Sequence, residues 1–309
     1  MCACLGKQLQ VLASCSVDHN VIVWEGLEQI SETTGNMIYR WKKAAALGDA
    51  RLAVNDIAFA PHHFGLRLAV GSGDGHVRVY DAPDPLKLAE WQIQNEFLAD
   101  HDGVRCLSWN DSREDDPMLV VGGVSPTAKI WAHDKNRGKW SVLAQLDGHS
   151  DHVHDVAWAP SMGRSFHRIA TASRDNTIRI WQIKPTDSKR DKEDVPGNVG
   201  EVVDEVSGLT YLGRGKGCHI YCFPPLTDHE AEVWRVRWNV TGSVLASSGD
   251  DGVMRVWKQN LRGAWICVSQ VASSSAPPLP GTKEASSDAT LHSVSSTHLE
   301  PMSQNLVHG

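Results

Sequence analysis

The sequence predicts an all-β protein, a β-propeller of repeated four-stranded units. A hairpin cassette recurs five times in 309 residues, and its closing aromatic always falls twelve residues after the opening Leu or Ile. Eleven of the twelve tryptophans fall in three slots that recur with these hairpins, which random placement does not produce. Repetition at a period of roughly 20–50 residues marks an array of identical supersecondary units.

The hairpins read Leu12-Ala-Ser-Cys-Ser-Val-Asp18 with Trp24, Leu68-Ala-Val-Gly-Ser-Gly-Asp74 with Tyr80, Leu119-Val-Val-Gly-Gly-Val-Ser125 with Trp131, Ile169-Ala-Thr-Ala-Ser-Arg-Asp175 with Trp181, and Leu245-Ala-Ser-Ser-Gly-Asp-Asp251 with Trp257. Each is a strand, a tight polar turn and an alternating strand, the pattern of a β-hairpin. An inner-strand cassette precedes four of them: Val54-Asn-Asp-Ile57-Ala-Phe59, Val104-Arg-Cys-Leu107-Ser-Trp109, Val153-His-Asp-Val156-Ala-Trp158 and Val233-Trp-Arg-Val236-Arg-Trp238. A looser slot follows, with Trp41, Trp91, Trp140 and Trp265 in outer-strand contexts. Together these make the four-stranded blade of a propeller. Five blades are recognisable, and the first lacks its inner-strand cassette.

Closing aromatics are spaced 56, 51, 50 and 76 residues apart. The longest spacing holds Pro185, Pro196 and a mixed charge run, which predicts a solvated loop over 184–198. The Gly213-Arg-Gly215-Lys-Gly217 cluster has no helix after it to bind a phosphate and reads as a hairpin turn. The propeller is expected to end at residue 268. Beyond it, 269–309 is Ser/Pro-rich without apolar periodicity, and a disordered tail is expected.

Composition narrows the function classes. The chain is 41% hydrophobic and 22% charged, and no stretch approaches the ~20 apolar residues that span a bilayer. The start, Met1-Cys-Ala-Cys-Leu-Gly-Lys7, has neither a signal peptide's apolar core nor the glycine needed for myristoylation, so a cytosolic or nuclear setting is expected. Seven scattered cysteines form no disulfide framework. The Cys2/Cys4 and Cys218/Cys222 pairs lack a matching second pair for tetrahedral zinc, so no metal or cofactor is expected. A net charge of -7 without a basic stripe argues against direct nucleic-acid binding.

His149, Thr171, Asp175 and Trp181 resemble the WD40 tetrad, in which His, Asp, Ser/Thr and Trp hydrogen-bond in series and pin the turn to the blade. His229, Ser247, Asp251 and Trp257 repeat the set. A buried indole N–H needs an acceptor, which this series provides. A catalytic triad would be a single set with an exposed nucleophile and an oxyanion hole. Repetition with an indole attached reads as structure, so no catalytic residue is assigned. Asp18 and Asp74 are further turn aspartates; Val70, Tyr80 and Ser125 break the pattern, so those blades are expected to rely more on packing than on the hydrogen-bond network. Trp234, outside the three slots, stands where other units carry Asn55, Arg105 and His154, which suggests a rim position and a partner contact.

Longer stretches go beyond repeat grammar. These are Phe59-Ala-Pro-His-His-Phe-Gly-Leu-Arg-Leu-Ala-Val-Gly-Ser-Gly-Asp-Gly75, Val77-Arg-Val-Tyr-Asp-Ala-Pro-Asp84, Trp91-Gln-Ile-Gln-Asn-Glu-Phe97, Trp158-Ala-Pro-Ser-Met-Gly-Arg-Ser-Phe-His167 and the segment from Glu232 to Gly252. In order, from about Val11 to Trp265, they resemble the Seh family of nucleoporins (the Sec-thirteen homologue). The resemblance implies an open, six-bladed propeller in the Y-shaped outer-ring complex of the nuclear pore, completed by a blade from an α-solenoid nucleoporin. It implies other Y-complex nucleoporins as neighbours, service in the SEA/GATOR nutrient-signalling complex at the vacuolar or lysosomal surface, and a nuclear-envelope location. It also implies roughly one and a half blades ahead of Leu12, so a shortened start, and half of the docking edge gone with it, is expected. Alternatives within the fold are a COPII coat propeller or a ubiquitin-ligase substrate receptor. The Gly163-Arg-Ser-Phe-His167 and Ala82-Pro-Asp-Pro85 segments favour the nucleoporin over the coat protein.

Overall fold

Inner-strand cassettes, hairpins and outer strands assemble as antiparallel sheets in a computed structural model, which describes residues 2–5, 10–30, 37–186 and 199–272. The first sheet holds β1 (Cys2–Leu5), β2 (Gln10–Cys15), β3 (Val21–Ile30) and β4 (Met37–Leu47) in that order. The second holds β5 (Val54–Phe59), β6 (Arg67–Ser72), β7 (His76–Asp81) and β8 (Gln92–Leu98). The third holds β9 (Val104–Trp109), β10 (Met118–Gly123), β11 (Ala128–Asp134) and β12 (Lys139–Leu146). The fifth holds β19 (Val233–Trp238), β20 (Val244–Gly249), β21 (Val253–Gln259) and β22 (Trp265–Ala272). Each is a blade, and the chain is an all-β propeller.

The fourth sheet has six strands, ordered β13 (Val153–Trp158), β14 (His167–Ser173), β15 (Ile178–Pro185), β18 (Cys218–Cys222), β17 (Leu209–Gly215) and β16 (Val202–Asp204). The longest spacing is therefore partly an extra hairpin outside the blade's fourth strand. Gly215 pairs with Cys218 across a two-residue turn, where Gly217 takes a φ of +72° that a side chain would strain. Lys184 and Pro185 belong to β15 rather than to a loop; 187–198 lies outside the described residues.

Two further expectations are corrected. The first blade has an inner strand: Cys2 pairs with Ala13 and Leu5 with Gln10. Antiparallel pairing needs only backbone N–H and C=O groups, so four residues suffice without the Val and aromatic positions of the cassette. Likewise, β22 runs through Ala272, past the expected boundary at 268, because β21 offers backbone partners through the pairing of Val253 with Ala272. The rest of the expected tail lies outside the described residues.

Side chains alternate between the two faces of each blade, and the core lies in four layers between successive sheets. Leu68 and Val70 of β6 face the first blade's Val11, Ala13, Val21 and Val23, while Ala69 between them faces the third blade's Val104 and Leu119. The layer between third and fourth blades joins Val120 and Ile130 to Val156, Ile169 and Trp181; the next joins Ile178 and Ile180 to Val236, Leu245 and Trp257. Burying one such aliphatic side chain contributes roughly 1.5–3 kcal/mol. Inner strands pack in the order β1, β5, β9, β13, β19, and no comparable packing joins β19 to β1 among the described residues.

The hairpin turns need a left-handed residue after the turn aspartate. His19, Gly75, Asn176 and Gly252 fill that position with φ of 71°, 83°, 67° and 68°. In the third blade Pro126 follows Ser125. A proline ring holds φ near −65°, so this turn cannot copy the others.

Candidate protein-binding surfaces and the networks that position them

In the fourth blade the Trp181 Nε1–H donates to Thr171 Oγ1 at 3.0 Å, and Thr171 Oγ1 lies 2.7 Å from His149 Nε2. His149 Nδ1 lies 2.9 Å from Asp175 Oδ2. The fifth blade repeats this, with Trp257 donating to Ser247 Oγ at 2.8 Å, Ser247 Oγ 2.8 Å from His229 Nε2, and His229 Nδ1 2.8 Å from Asp251 Oδ2. An ionised carboxylate only accepts, so Nδ1 carries the proton, and the hydroxyl that receives the indole N–H gives its own to Nε2. Every member of the series then has a partner.

Electrostatics follow from the same geometry. Burial opposes charge on Asp175, yet hydrogen bonds from His149 and Thr177 and the Ser150 N–H hold its carboxyl well below the usual range. Asp251 is lowered likewise, burial again opposing, through Arg255, the Val253 N–H and His229. Burial pushes the His229 imidazole down, Asp251 only partly offsetting it. Thr171 is fully buried and Ser247 nearly so, each already receiving an indole N–H. These hydroxyls lack the access a nucleophile needs.

The other blades depart from the series. The first keeps half of it, Trp24 Nε1–H donating to Ser14 Oγ at 2.9 Å, while Asp18 accepts the Asn20 N–H at 3.0 Å. To the packing that its pattern suggested, the second blade adds a polar network of its own. Arg78, almost fully buried, bridges Asp74 Oδ2 at 2.9 Å and Glu96 Oε1 at 2.7 Å, and donates to Ser72 Oγ at 3.1 Å. Tyr80 OH donates to Asp49 Oδ2 at 2.8 Å. In the third blade the carboxylate moves to Asp100, which accepts from Ser125 Oγ at 2.6 Å, while buried Trp131 Nε1 has no acceptor because Val121 holds the hydroxyl position. A sequence signal was available for Arg78: arginine stands four residues after the turn aspartate in three blades, as Arg78, Arg179 and Arg255.

Clasps between blades were not anticipated. Asp56 Oδ2 accepts the Leu107 N–H of the next inner strand at 2.9 Å, and Asp155 Oδ2 accepts that of Val236 at 3.0 Å. Both aspartates are third in their cassettes, a repetition that was visible. In the opposite direction Trp109 and Trp238 Nε1–H donate to the Ala58 and Ala157 carbonyls of the preceding blade, each at 3.0 Å. These inner strands line a central cavity of about 790 Å³. Burial raises the Asp56 carboxyl to about 6, and the nearby Asp155 charge adds to the rise.

Two kinds of surface remain for partners. Trp234 is 41% exposed beside a smaller cavity of about 330 Å³ at the mouth of the inner strands. Among the described residues nothing packs over the outer faces of the two terminal blades. On the first blade, alternation turns Leu12, Ile22 and Trp24 away from the second blade, and all are only half-buried. On the fifth, Ala246 and Val256 are half-buried and Met254 is 51% exposed. Among the described residues no group of three His, Cys, Asp or Glu could hold a metal, and no helix is long and apolar enough to cross a membrane.

The WD domain, G-beta repeat, matches residues 46–81, 140–182 and 220–258. These segments close on Tyr80, Trp181 and Trp257 of the second, fourth and fifth blades. Human nucleoporin SEH1 is 37% identical over 292 residues, spanning 92% of this chain and 75% of its own length. The chain belongs to the SEH1 family of nucleoporins. Xenopus laevis nucleoporin SEH1-A is 37% identical over 276 residues, covering 87% of this chain and 71% of that protein. Danio rerio nucleoporin SEH1 is 36% identical over 276 residues, covering 87% and 70%. For this SEH1-family chain the comparison fits the geometry: the polar constellations are built into blades, and the free surfaces are faces and a rim.

Proposed function

We propose that the chain is a non-enzymatic scaffold subunit of the nuclear pore's outer-ring Y complex at the nuclear envelope, supporting transport between nucleus and cytoplasm. The observation that carries this reading is the pair of uncovered blade faces, Leu12/Ile22/Trp24 and Ala246/Met254/Val256. Half-exposed apolar sheet faces invite completion by another sheet. The occupant is a blade donated by an α-solenoid nucleoporin, with other Y-complex nucleoporins bound around it. The tetrads of His149, Thr171, Asp175, Trp181 and of His229, Ser247, Asp251, Trp257, with the turn residues Asp18 and Asp74, hold blade shape and take no part in chemistry. Trp234 is a partner contact. Family membership favours this reading over a coat propeller or a ubiquitin-ligase receptor.

The test is purification of the tagged full chain from cells, with partners identified by mass spectrometry. A near-stoichiometric α-solenoid nucleoporin is expected, reduced at least tenfold by Met254→Asp. Recovery without any Y-complex subunit overturns the reading. SEA/GATOR subunits recovered alone would move the chain to the vacuolar or lysosomal surface and overturn the pore assignment.

A further inference from the structure

The mouth at Trp234 is more organised than a chance exposed aromatic. The indole stacks on His154 with ring centroids 4.1 Å apart and planes 16° from parallel, and its Nε1–H donates to Asp250 Oδ1 at 2.6 Å. Two restraints at right angles fix the ring and leave one face open. His154 is held in turn: its Nε2–H donates to Glu232 Oε2 at 3.1 Å, and Arg105 Nη1 donates to its Nδ1 at 3.3 Å. Burial pushes the His154 imidazole down, in keeping with a neutral ring that accepts from Arg105.

Two guanidiniums at this mouth, Arg105 and Arg235, lack a close carboxylate of their own. Glu232 is occupied by Arg174 Nε at 2.9 Å. Buried Asp155 is shared by Arg237 at 2.6 Å and Arg235 at 3.7 Å, so one carboxylate faces two guanidiniums. Arg105 has no carboxylate partner within salt-bridge distance among the described residues, and its hydrogen bond goes to a neutral ring. Arg105 and Arg235 line the cavity with Asp102 as its acidic member. Fixed aromatic rings and guanidiniums are the residue types that dominate binding energies at interfaces, and arginine's fork suits carboxylates.

We infer that this mouth binds an extended acidic peptide segment of a partner protein, a carboxylate side chain lying between Arg105 and Arg235 and an adjacent apolar residue lying on the open face of Trp234. The inference rests on the scaffold reading and names one of its partners' chemical features. The cavity, about 330 Å³, suits one or two side chains rather than a folded surface.

The experiment measures fluorescence polarisation of labelled nonapeptides on the full chain, with a central Glu-Leu-Glu, Lys-Leu-Lys or Ala-Leu-Ala, beside a single-stranded oligonucleotide. The Glu peptide should bind about tenfold tighter than the others, weaken with salt, and lose about tenfold in Trp234→Ala and in Arg105→Gln. Melting midpoints within about 2 °C of the parent check that each variant folds. Equal binding of the three peptides, tighter binding of the oligonucleotide, or Glu-peptide affinity unchanged in both variants overturns the inference. Co-purification of Y-complex subunits by Arg105→Gln separates the outcomes: if it persists while the parent binds no peptide, only this inference falls.

Discussion

The fourth and third blades share a backbone plan and differ in how they treat a buried tryptophan. In the fourth, Trp181 hands its N–H to Thr171, and the series ends on a carboxylate that also ties down the next turn. In the third, Trp131 stands at the same position over Val121 with its N–H unpaired. Ser125 and Pro126 there replace the turn aspartate and its left-handed neighbour. The blade plan therefore survives on packing of the Leu119 layer, and the tetrad adds stability and turn geometry to a frame that apolar alternation already defines. A buried polar group left unpaired costs roughly 1–3 kcal/mol, so the two blades should respond differently to the same changes.

The largest difference should come from Trp181→Ala. Deleting a fully buried indole costs about 3–5 kcal/mol, and this variant also strips Thr171 of its donor. Trp131→Ala removes similar packing but relieves an unpaired N–H, so its cost should be smaller by about 1 kcal/mol or more. Chemical denaturation of both variants checks the ranking; equal losses would mean the tetrad contributes nothing beyond packing.

A second contrast sets the tetrad carboxylates against Asp56 in the central cavity. Asp175 has a folded-state pKa lowered from its ordinary 3.8, so its contribution is present above about pH 4 and is lost as pH falls. Asp56 is raised from 3.8 to about 6, so the folded protein holds that proton more tightly than the unfolded chain. Its contribution is present below pH 4 and lost as pH rises through 6, by roughly 3 kcal/mol for a two-unit shift. Stability measured against pH should show the difference between parent and Asp56→Asn falling from pH 4 to 7. The difference between parent and Asp175→Asn should rise from pH 2 to 5. The same sign for both would break the contrast.

What could be read from the sequence divides along the same line. Hairpins, inner cassettes and the two tetrads were legible because each places particular side chains at fixed spacing: the twelve-residue interval to Trp181 and Trp257, and the hydroxyl at Thr171 and Ser247. Strand β1 was not, because Cys2–Leu5 pairs through backbone and carries no inner-strand cassette. The extra hairpin β16–β17 was half legible; the Gly213–Gly217 cluster read as the hairpin turn that follows it, but nothing in the spacing says that β15 skips it to pair with β18. Arg78 and the Asp56 and Asp155 clasps repeat in register and were missed because they depart from the familiar tetrad. Register repetition, taken without a motif in mind, would have found them.

Thr171→Val tests the tetrad's hydroxyl alone. The substitution keeps shape and leaves both the fully buried Trp181 indole and His149 Nε2 unpaired. A loss of about 1–3 kcal/mol is expected, and hydrogen exchange of the Asp175 turn should quicken as its anchor loosens. Thr171→Ser, which keeps the hydroxyl, should recover most of the loss.

The smallest effect, and the sharpest use of the comparison, is the reverse change in the third blade. Val121→Thr swaps a methyl for a hydroxyl at the position that Thr171 and Ser247 occupy in their blades, beside the unpaired Trp131 N–H. Elsewhere in a core this exchange destabilises, because a hydroxyl buried without a partner is costly. Here the indole supplies a donor, yet no histidine follows to receive the hydroxyl proton: Asp100 has turned to Ser125. One hydrogen bond gained against one O–H left to find a backbone carbonyl predicts a change near zero, within about 1 kcal/mol either way. Adding a histidine at Asp100 along with Val121→Thr should then stabilise only if the His slot itself completes the series. Loss of the Ser125 contact would oppose that gain. Denaturation of the single and double variants measures the coupling directly, and a positive coupling is expected because the two substitutions need each other.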